Sequence, residues 1–134
     1  MSSQIERISL TIPEELVSEL DVIVESSEYG SRSKAVRDSI RQFITDYSWH
    51  HEPSQIFHGS VTIVYDHEQS GINDVLIELQ HDVNELIIST QHVHFDHDLC
   101  LETLVVSGTG AEIRNFVNEL KAIKGMKQVQ VTAV

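Results

Sequence analysis

The stretch from Gln91 to Cys100 restricts the possible fold most, because apolar and polar residues alternate on both sides of an aspartate-rich turn. This alternation predicts two β-strands joined by a tight turn near His97. His92 and His94 are two residues apart and therefore point to the same face of the first strand. A turn centred on His97 places His94 opposite Cys100 and His92 diagonally across from it, at Cβ separations of roughly 5 Å and 7 to 8 Å.

Two imidazoles and one thiol on one strand face favour a transition-metal site. A lone cysteine is more often a small core residue, and a loop histidine is more often simply solvated. All three residues on one face are unlikely to occur by chance, so we favour a metal site over a core cysteine and solvated histidines. Nickel and copper in tetragonal sites accept imidazoles together with a soft thiolate. His92, His94 and Cys100 would give three ligands, and His81, at the end of the preceding predicted helix, could supply the fourth.

Length and charge limit the class of protein. A chain of 134 residues forms one ordinary domain or two small ones. Residues 1–7 contain no apolar run, so we expect neither a signal peptide nor a membrane span. A single cysteine fits a reducing cytoplasm, where a free thiol can serve a metal. The formal net charge of -12, taken alone, argues against nucleic acid and against an anionic membrane surface.

The first fifty residues predict one short strand and two helices. Residues 6–12 alternate, with Arg7, Ser9 and Thr11 on a polar face and Ile8, Leu10 and Ile12 on an apolar face. Thr11 and Glu14 have capping-box spacing for a first helix, which we expect Gly30 to end. A second helix should begin at Ser31 or Ser33. The single strand has no partner within this segment, and the segment is too small to bury a sufficient core. We therefore predict that two copies pair their strands into an antiparallel ribbon.

From residue 56 onward the pattern changes to alternating strands and helices. Strands are predicted over 57–67, 85–95, 99–107 and 129–134, and helices over 73–83 and 110–124. This order is strand, helix, strand, then strand, helix, strand, which is a ferredoxin-like arrangement. Residues 50–55 are mostly polar, include a proline, and are predicted to link residues 1–49 to residues 56–134.

Residues 7–16, RISLTIPEEL, and residues 29–38, YGSRSKAVRD, resemble a ribbon-helix-helix DNA-binding domain. The resemblance implies that the dimeric ribbon enters the major groove and reads bases with Arg7, Ser9 and Thr11. It also implies that the start of the second helix contacts backbone phosphate through free amides, at Ser31, Arg32 and Ser33. The alternative is that the polar strand face is only a solvent-exposed edge.

His81, His92-Val93-His94 and Cys100-Leu101-Glu102 together resemble the nickel-responsive regulators. That family implies an α+β fold, in which a ribbon-helix-helix domain precedes a ferredoxin-like (ACT-type) βαββαβ domain. It also implies a plane of three histidines and one cysteine around Ni²⁺. The family further implies a homotetramer built as a dimer of dimers, in which a neighbouring subunit supplies the ligand that corresponds to His81. Further residues that would support the ligands or bind a secondary metal are Gln80, Glu102 and His67.

The sequence therefore predicts a cytoplasmic, nickel-responsive transcriptional regulator, a repressor of nickel uptake that binds a palindromic double-stranded operator. The alternative is a transition-metal carrier or store that uses its N-terminal domain only for assembly, and the acidic charge favours this alternative. Enzymatic activity is not expected, because a plane of four protein ligands leaves no open position for a substrate.

Overall fold

The computed structural model describes residues 4–27 and 29–134. The chain forms two compact units, Met1–Gln42 and Phe43–Val134. The elements in order are α1 (Glu14–Ser26), α2 (Arg32–His51), β1 (Ile56–Asp66), α3 (Ile72–Asp82), β2 (Ile87–Phe95), β3 (Leu99–Thr109), α4 (Gly110–Ala122) and β4 (Met126–Ala133). Helix α2 extends to His51 and so includes the first two residues of the expected linker. Within the described ranges, no helix is long and apolar enough to cross a membrane.

The ends of α1 differ from the sequence-based expectation. Pro13 occupies the N-cap position, and no side chain caps the helix, so the predicted capping box of Thr11 and Glu14 is wrong. The helix ends at Ser26 rather than at Gly30, although Gly30 does adopt a left-handed backbone with φ of 73°. Helix α2 begins as predicted after Ser31, whose Oγ accepts a hydrogen bond from the Lys34 amide at 3.2 Å.

The segment that was expected to be a strand, residues 6–12, lies in neither helix nor strand. A ladder needs a second strand, and the described part of this unit contains no other. The apolar residues of the segment are exposed, and α1 buries none of its side chains. The N-terminal unit thus leaves its apolar face uncovered in a single chain.

The second unit is a four-stranded antiparallel sheet in the order β2-β3-β1-β4. With α3 and α4 in the two crossover connections, this is the predicted ferredoxin-like arrangement. Val61, Ile63 and Tyr65 alternate along β1 into the core. Helix α3 contributes Ile72, Leu76 and Leu79 to the same core, and helix α4 contributes Ile113, Phe116, Val117 and Leu120. Val75, also in α3, is exposed.

The other face of the sheet is uncovered near its β2 edge. Val93, Phe95 and Val105 are exposed, whereas Leu104 and Val106, the neighbours of Val105 on the core-facing side, are buried. The residues of β2 that alternate with Val93 and Phe95 are exposed as well. The hairpin register is the predicted one, because His94 pairs with Cys100 and Phe95 with Leu99. Asp96 in the turn has a φ of 52°, a left-handed conformation that aspartate tolerates in tight turns. The register therefore fixes which side chains share the core-facing side.

Candidate metal centre and nucleic-acid surface

His94 and Cys100 form the centre of the candidate metal site. They are directly paired across the β2–β3 hairpin, and His94 Nδ1 lies 3.1 Å from Cys100 Sγ. The Cys100 side chain is fully buried, yet its sulfur is within reach of two ring nitrogens, because His67 Nδ1 also lies 3.4 Å away. Sulfur in this position is therefore not enclosed by aliphatic neighbours alone.

His92 lies beside this pair and is tied to a buried carboxylate. The rings of His92 and His94 have centroids 4.7 Å apart. His92 Nδ1 is 3.5 Å from Glu102 Oε2, and Glu102 is only 5% exposed. Gln80 Nε2 donates to Glu102 Oε1 at 2.7 Å, and the Tyr65 hydroxyl donates to Glu102 Oε2 at 3.4 Å. The two predicted supporting residues, Gln80 and Glu102, thus lie in one network with His92.

The two other candidate histidines, His67 and His81, occupy different positions. His67 follows β1, where its amide donates to the Asp98 carbonyl at 2.9 Å, so the hairpin turn holds it beside Cys100. Among the described residues, His67, His94 and Cys100 form the group whose ligand atoms all lie within 4.8 Å of one another. His81 lies in the last turn of α3, is exposed, and is not part of that group.

Burial and a nearby charge set the acidity of the two core groups at the site. Burial raises the pKa of the Cys100 thiol, and the Glu102 carboxylate adds to the rise. Burial likewise raises the pKa of the Tyr65 hydroxyl, with the Glu102 and Cys100 charges acting in the same direction. Tyr65 therefore remains a neutral donor to Glu102, and the thiol holds its proton at neutral pH until something displaces it.

The donor set fits a borderline divalent metal. With bonds of about 2.0 Å to imidazole nitrogen and 2.3 Å to sulfur, as in zinc sites, two ligands at the right angle of a tetragonal site would lie about 3 Å apart. The observed separation of 3.1 Å between His94 Nδ1 and Cys100 Sγ agrees with that spacing. Glu102 is placed to accept the second ring N–H of His92, as carboxylates beside metal-bound histidines commonly do.

The predicted DNA-contacting residues lie in two parts of the N-terminal unit. Arg7, Ser9 and Thr11 are exposed in residues 4–13. Ser31 caps α2 by accepting from Lys34, while Ser33 is exposed in the first turn. The Arg32 side chain is directed to Asp21 in α1 through a two-bond fork of 2.6 Å and 2.5 Å.

Tyr65 is the residue of the site that the sequence analysis did not assign. It is paired with Cys100 across β1 and β3, and its hydroxyl lies 3.4 Å from both Glu102 Oε2 and His92 Nδ1. The alternation of Val61, Ile63 and Tyr65 could have placed it on the core face. The β1–β3 register that brings it to Cys100 is a contact between distant segments, which local patterns do not reveal.

Two protein families match this chain, and together they cover most of it. Residues 58–134 match the family described as the NikR C-terminal nickel-binding domain. Residues 6–47 match the ribbon-helix-helix proteins of the copG family. A solved structure of an uncharacterized protein from Thermotoga maritima is similar at a TM-score of 0.50, with 22% identity over 60% of this chain and 96% of that one. This last likeness concerns the fold alone.

Two relatives match over nearly the full length of this chain. A candidate nickel-responsive regulator of Methanococcus maripaludis is 40% identical over 96% of this chain and 92% of its own. A second such regulator, from Methanocaldococcus jannaschii, is 38% identical over 98% of this chain and 94% of its own. These matches confirm the sequence-based predictions of the family, the two domain types and nickel as the metal, and they place the chain among regulators rather than enzymes. The chain belongs to the nickel-responsive regulator family, with a ribbon-helix-helix domain followed by a NikR-type nickel-binding domain.

Proposed function

We propose that this chain is a nickel-dependent DNA-binding repressor of genes for nickel uptake. The observation that carries the proposal is the placement of His94, Cys100 and His92 side by side on one hairpin, in a chain with a ribbon-helix-helix domain. We infer that these three residues of one copy hold Ni²⁺ together with His81 of a second copy. Bound nickel supplies a cross-link between copies, while Glu102 and Gln80 orient His92.

Uncovered apolar surfaces in both units support assembly. In the N-terminal unit, Ile8, Leu10 and Leu16 are exposed, as expected if a second copy completes the ribbon. In the C-terminal unit, Val93 and Phe95 are exposed on the outer face of the sheet. Two separate self-complementary surfaces on one chain lead to a dimer of dimers. We therefore propose a homotetramer in which the first surface forms the DNA-binding ribbon and the second joins the C-terminal units, whose nickel ligands lie on the opposite, core-facing side of the hairpin.

DNA recognition is assigned to the ribbon and to the start of α2. Arg7, Ser9 and Thr11 would read bases in the major groove of a palindromic operator, because a two-fold ribbon matches a two-fold site. The first turn of α2, residues 31–33, offers free backbone amides to a phosphate. Nickel that favours the DNA-binding arrangement must in turn be bound more tightly in the presence of operator. We propose a cytoplasmic location, because a regulator of this kind acts on DNA and a single free cysteine suits a reducing compartment.

The test is selection of operator sequences from a random duplex library with the full-length protein, with one equivalent of Ni²⁺ or with a chelator. Nickel should tighten binding to the selected duplex by about 5- to 150-fold, the usual range of such coupling. Cys100→Ala should abolish the gain. His97→Ala, which removes an exposed turn histidine from the same hairpin, is the matched control and should retain it. Equal affinity with and without nickel would show that the proposed function is wrong.

A carrier or store without DNA binding is the second possibility, and one observation favours it. The chain has a net charge of -12, and Arg32 and Arg41 are already paired with Asp21 and Asp38. Arg7→Ala separates the two functions. A DNA reader should lose about 1 to 3 kcal/mol of specific binding, whereas nickel binding by a carrier should not change.

A further inference from the structure

Asp21 and Arg32 form a two-bond ion pair between α1 and the first residue of α2. Arg32 Nε donates to Asp21 Oδ1 at 2.6 Å, and a terminal nitrogen of Arg32 donates to Asp21 Oδ2 at 2.5 Å. The hydrogen bond from Arg32 lowers the pKa of Asp21, so the carboxylate is ionised at neutral pH. The Nε edge of the guanidinium, which suits a carboxylate or a phosphate in a bidentate contact, is thus occupied within the chain, while the side chain is 63% exposed.

The N-terminal unit has few cations to spare. Residues 1–42 contain five Lys and Arg and eight Asp and Glu, which gives a net charge of 5 - 8 = -3. Two of the five cations are paired, since Arg41 is bonded to Asp38 at 3.0 Å. Lys34 lies over the Tyr29 ring, with Nζ 5.0 Å from its centroid. Release of Arg32 from Asp21 would therefore change the local electrostatic field of this unit appreciably.

The start of α2 can still bind an anion without the Arg32 side chain. Ser31 Oγ accepts a hydrogen bond from the Lys34 amide. The amides of Arg32 and Ser33 lie at the exposed end of the helix, where they can donate to an anion. Backbone amides carry no net charge. A DNA phosphate that is bound only by these amides is therefore not neutralised and keeps its counterion. Only a lysine or arginine that is not already neutralised within the unit can contribute to salt-dependent DNA binding.

We propose that Asp21 is a positioning residue that holds Arg32 away from the DNA phosphate, which weakens non-specific binding and leaves recognition to the ribbon. The inference depends on the proposed DNA-binding function. The paired Arg32 and Asp21 have no net charge, so they add little to the attraction of any duplex. Sequence-independent affinity is mostly electrostatic, so withholding this cation lowers it selectively. Base contacts by the ribbon are unaffected.

The experiment measures binding of the nickel-loaded full-length protein to a labelled duplex of mixed sequence between 0.05 and 0.3 M KCl. Asp21→Asn releases Arg32 in each of the two chains of a ribbon. The slope of log affinity against log salt should become more negative by about 2, and affinity at 0.05 M should rise about tenfold. Asp21→Glu, which keeps the carboxylate, should restore the wild-type slope. The double variant D21N/R32Q should also return to the wild-type slope, because the released cation is then absent.

Asp38→Asn is the matched control. It removes the same charge from an ion pair in the same unit, but its partner Arg41 is nine residues beyond Arg32 along α2, about 13 Å away. The salt slope of this variant should stay near the wild-type value. An unchanged slope in D21N, weaker binding of D21N at every salt concentration, or no binding of the duplex by either protein would overturn the proposal. Selection of a nickel-dependent operator would still support the proposed function in each of these cases.

Discussion

His94 and Cys100 face each other across the β2–β3 hairpin, with His94 Nδ1 3.1 Å from Cys100 Sγ. Strand pairing places the two side chains directly opposite each other, so the hairpin of a single chain brings two candidate ligand atoms together. Because burial raises the pKa of the Cys100 thiol, a metal ion must displace its proton. Metal binding at this site is therefore coupled to proton release.

Cys100→Ala should remove both tight nickel binding and the thiolate-to-nickel charge-transfer absorption. The sulfur is the only thiol of the chain, so no other residue can produce that band. We expect a loss of nickel affinity of more than about a hundredfold, beyond that seen when only a supporting residue is changed. Titration by absorption spectroscopy, with His97→Ala as the control, measures both effects. A charge-transfer band that persists in C100A would contradict the assignment of the ligand.

Mixing two inactive variants tests whether His81 acts from a second copy. His81→Ala retains the hairpin ligands, and Cys100→Ala retains His81. If one site takes ligands from two copies, unfolding and refolding the two variants together should restore tight nickel binding in part of the sites. Each variant alone should remain weak. His67→Ala should keep near-wild-type affinity, even though His67 Nδ1 lies 3.4 Å from Cys100 Sγ in the single chain. No restoration in the mixture would exclude a shared site.

Glu102→Gln should weaken nickel binding by about 10- to 100-fold, the usual cost of losing a carboxylate that orients a metal-bound histidine. The carboxylate accepts from Gln80 and Tyr65 and lies 3.5 Å from His92 Nδ1, and an amide cannot serve all of these donors. Competition against a chelator measures the change. Glu85→Gln makes the same charge change at an exposed position near β2. Equal effects of the two substitutions would indicate general electrostatics instead.

The hairpin was predictable because its information is local. Alternating residues and an aspartate-rich turn fix the pairing of His94 with Cys100, and the order of helices and strands in the second unit follows from similar short patterns. The position of His67 was not predictable, since it depends on β1 pairing with β3 and on the Asp98 carbonyl. The ribbon was predicted from residues 6–12, but a ladder needs a second strand, and the described part of the N-terminal unit contains none.

Glu112→Ala should destabilise the C-terminal unit at pH 7 by about 1 kcal/mol, the usual value of a helix cap. Glu112 completes a capping box with Thr109, whose amide donates to Glu112 Oε2 at 2.7 Å and whose Oγ1 accepts the Glu112 amide at 3.2 Å. Hydrogen bonds from Thr109 lower the pKa of Glu112 in the folded chain. The carboxylate therefore adds stability above its unfolded pKa, and this contribution is lost as the pH falls through the lower folded value.

The difference in unfolding free energy between wild type and E112A should accordingly shrink between pH 7 and pH 3. Urea unfolding followed by the fluorescence of Trp49 measures it, because this single tryptophan is buried in the core of the same unit. Glu119→Ala, at an exposed position of the same helix, is the control and should change stability by less than about 0.5 kcal/mol. A difference for E112A that stays constant with pH would mean that the ionised carboxylate is not the source of the stabilisation.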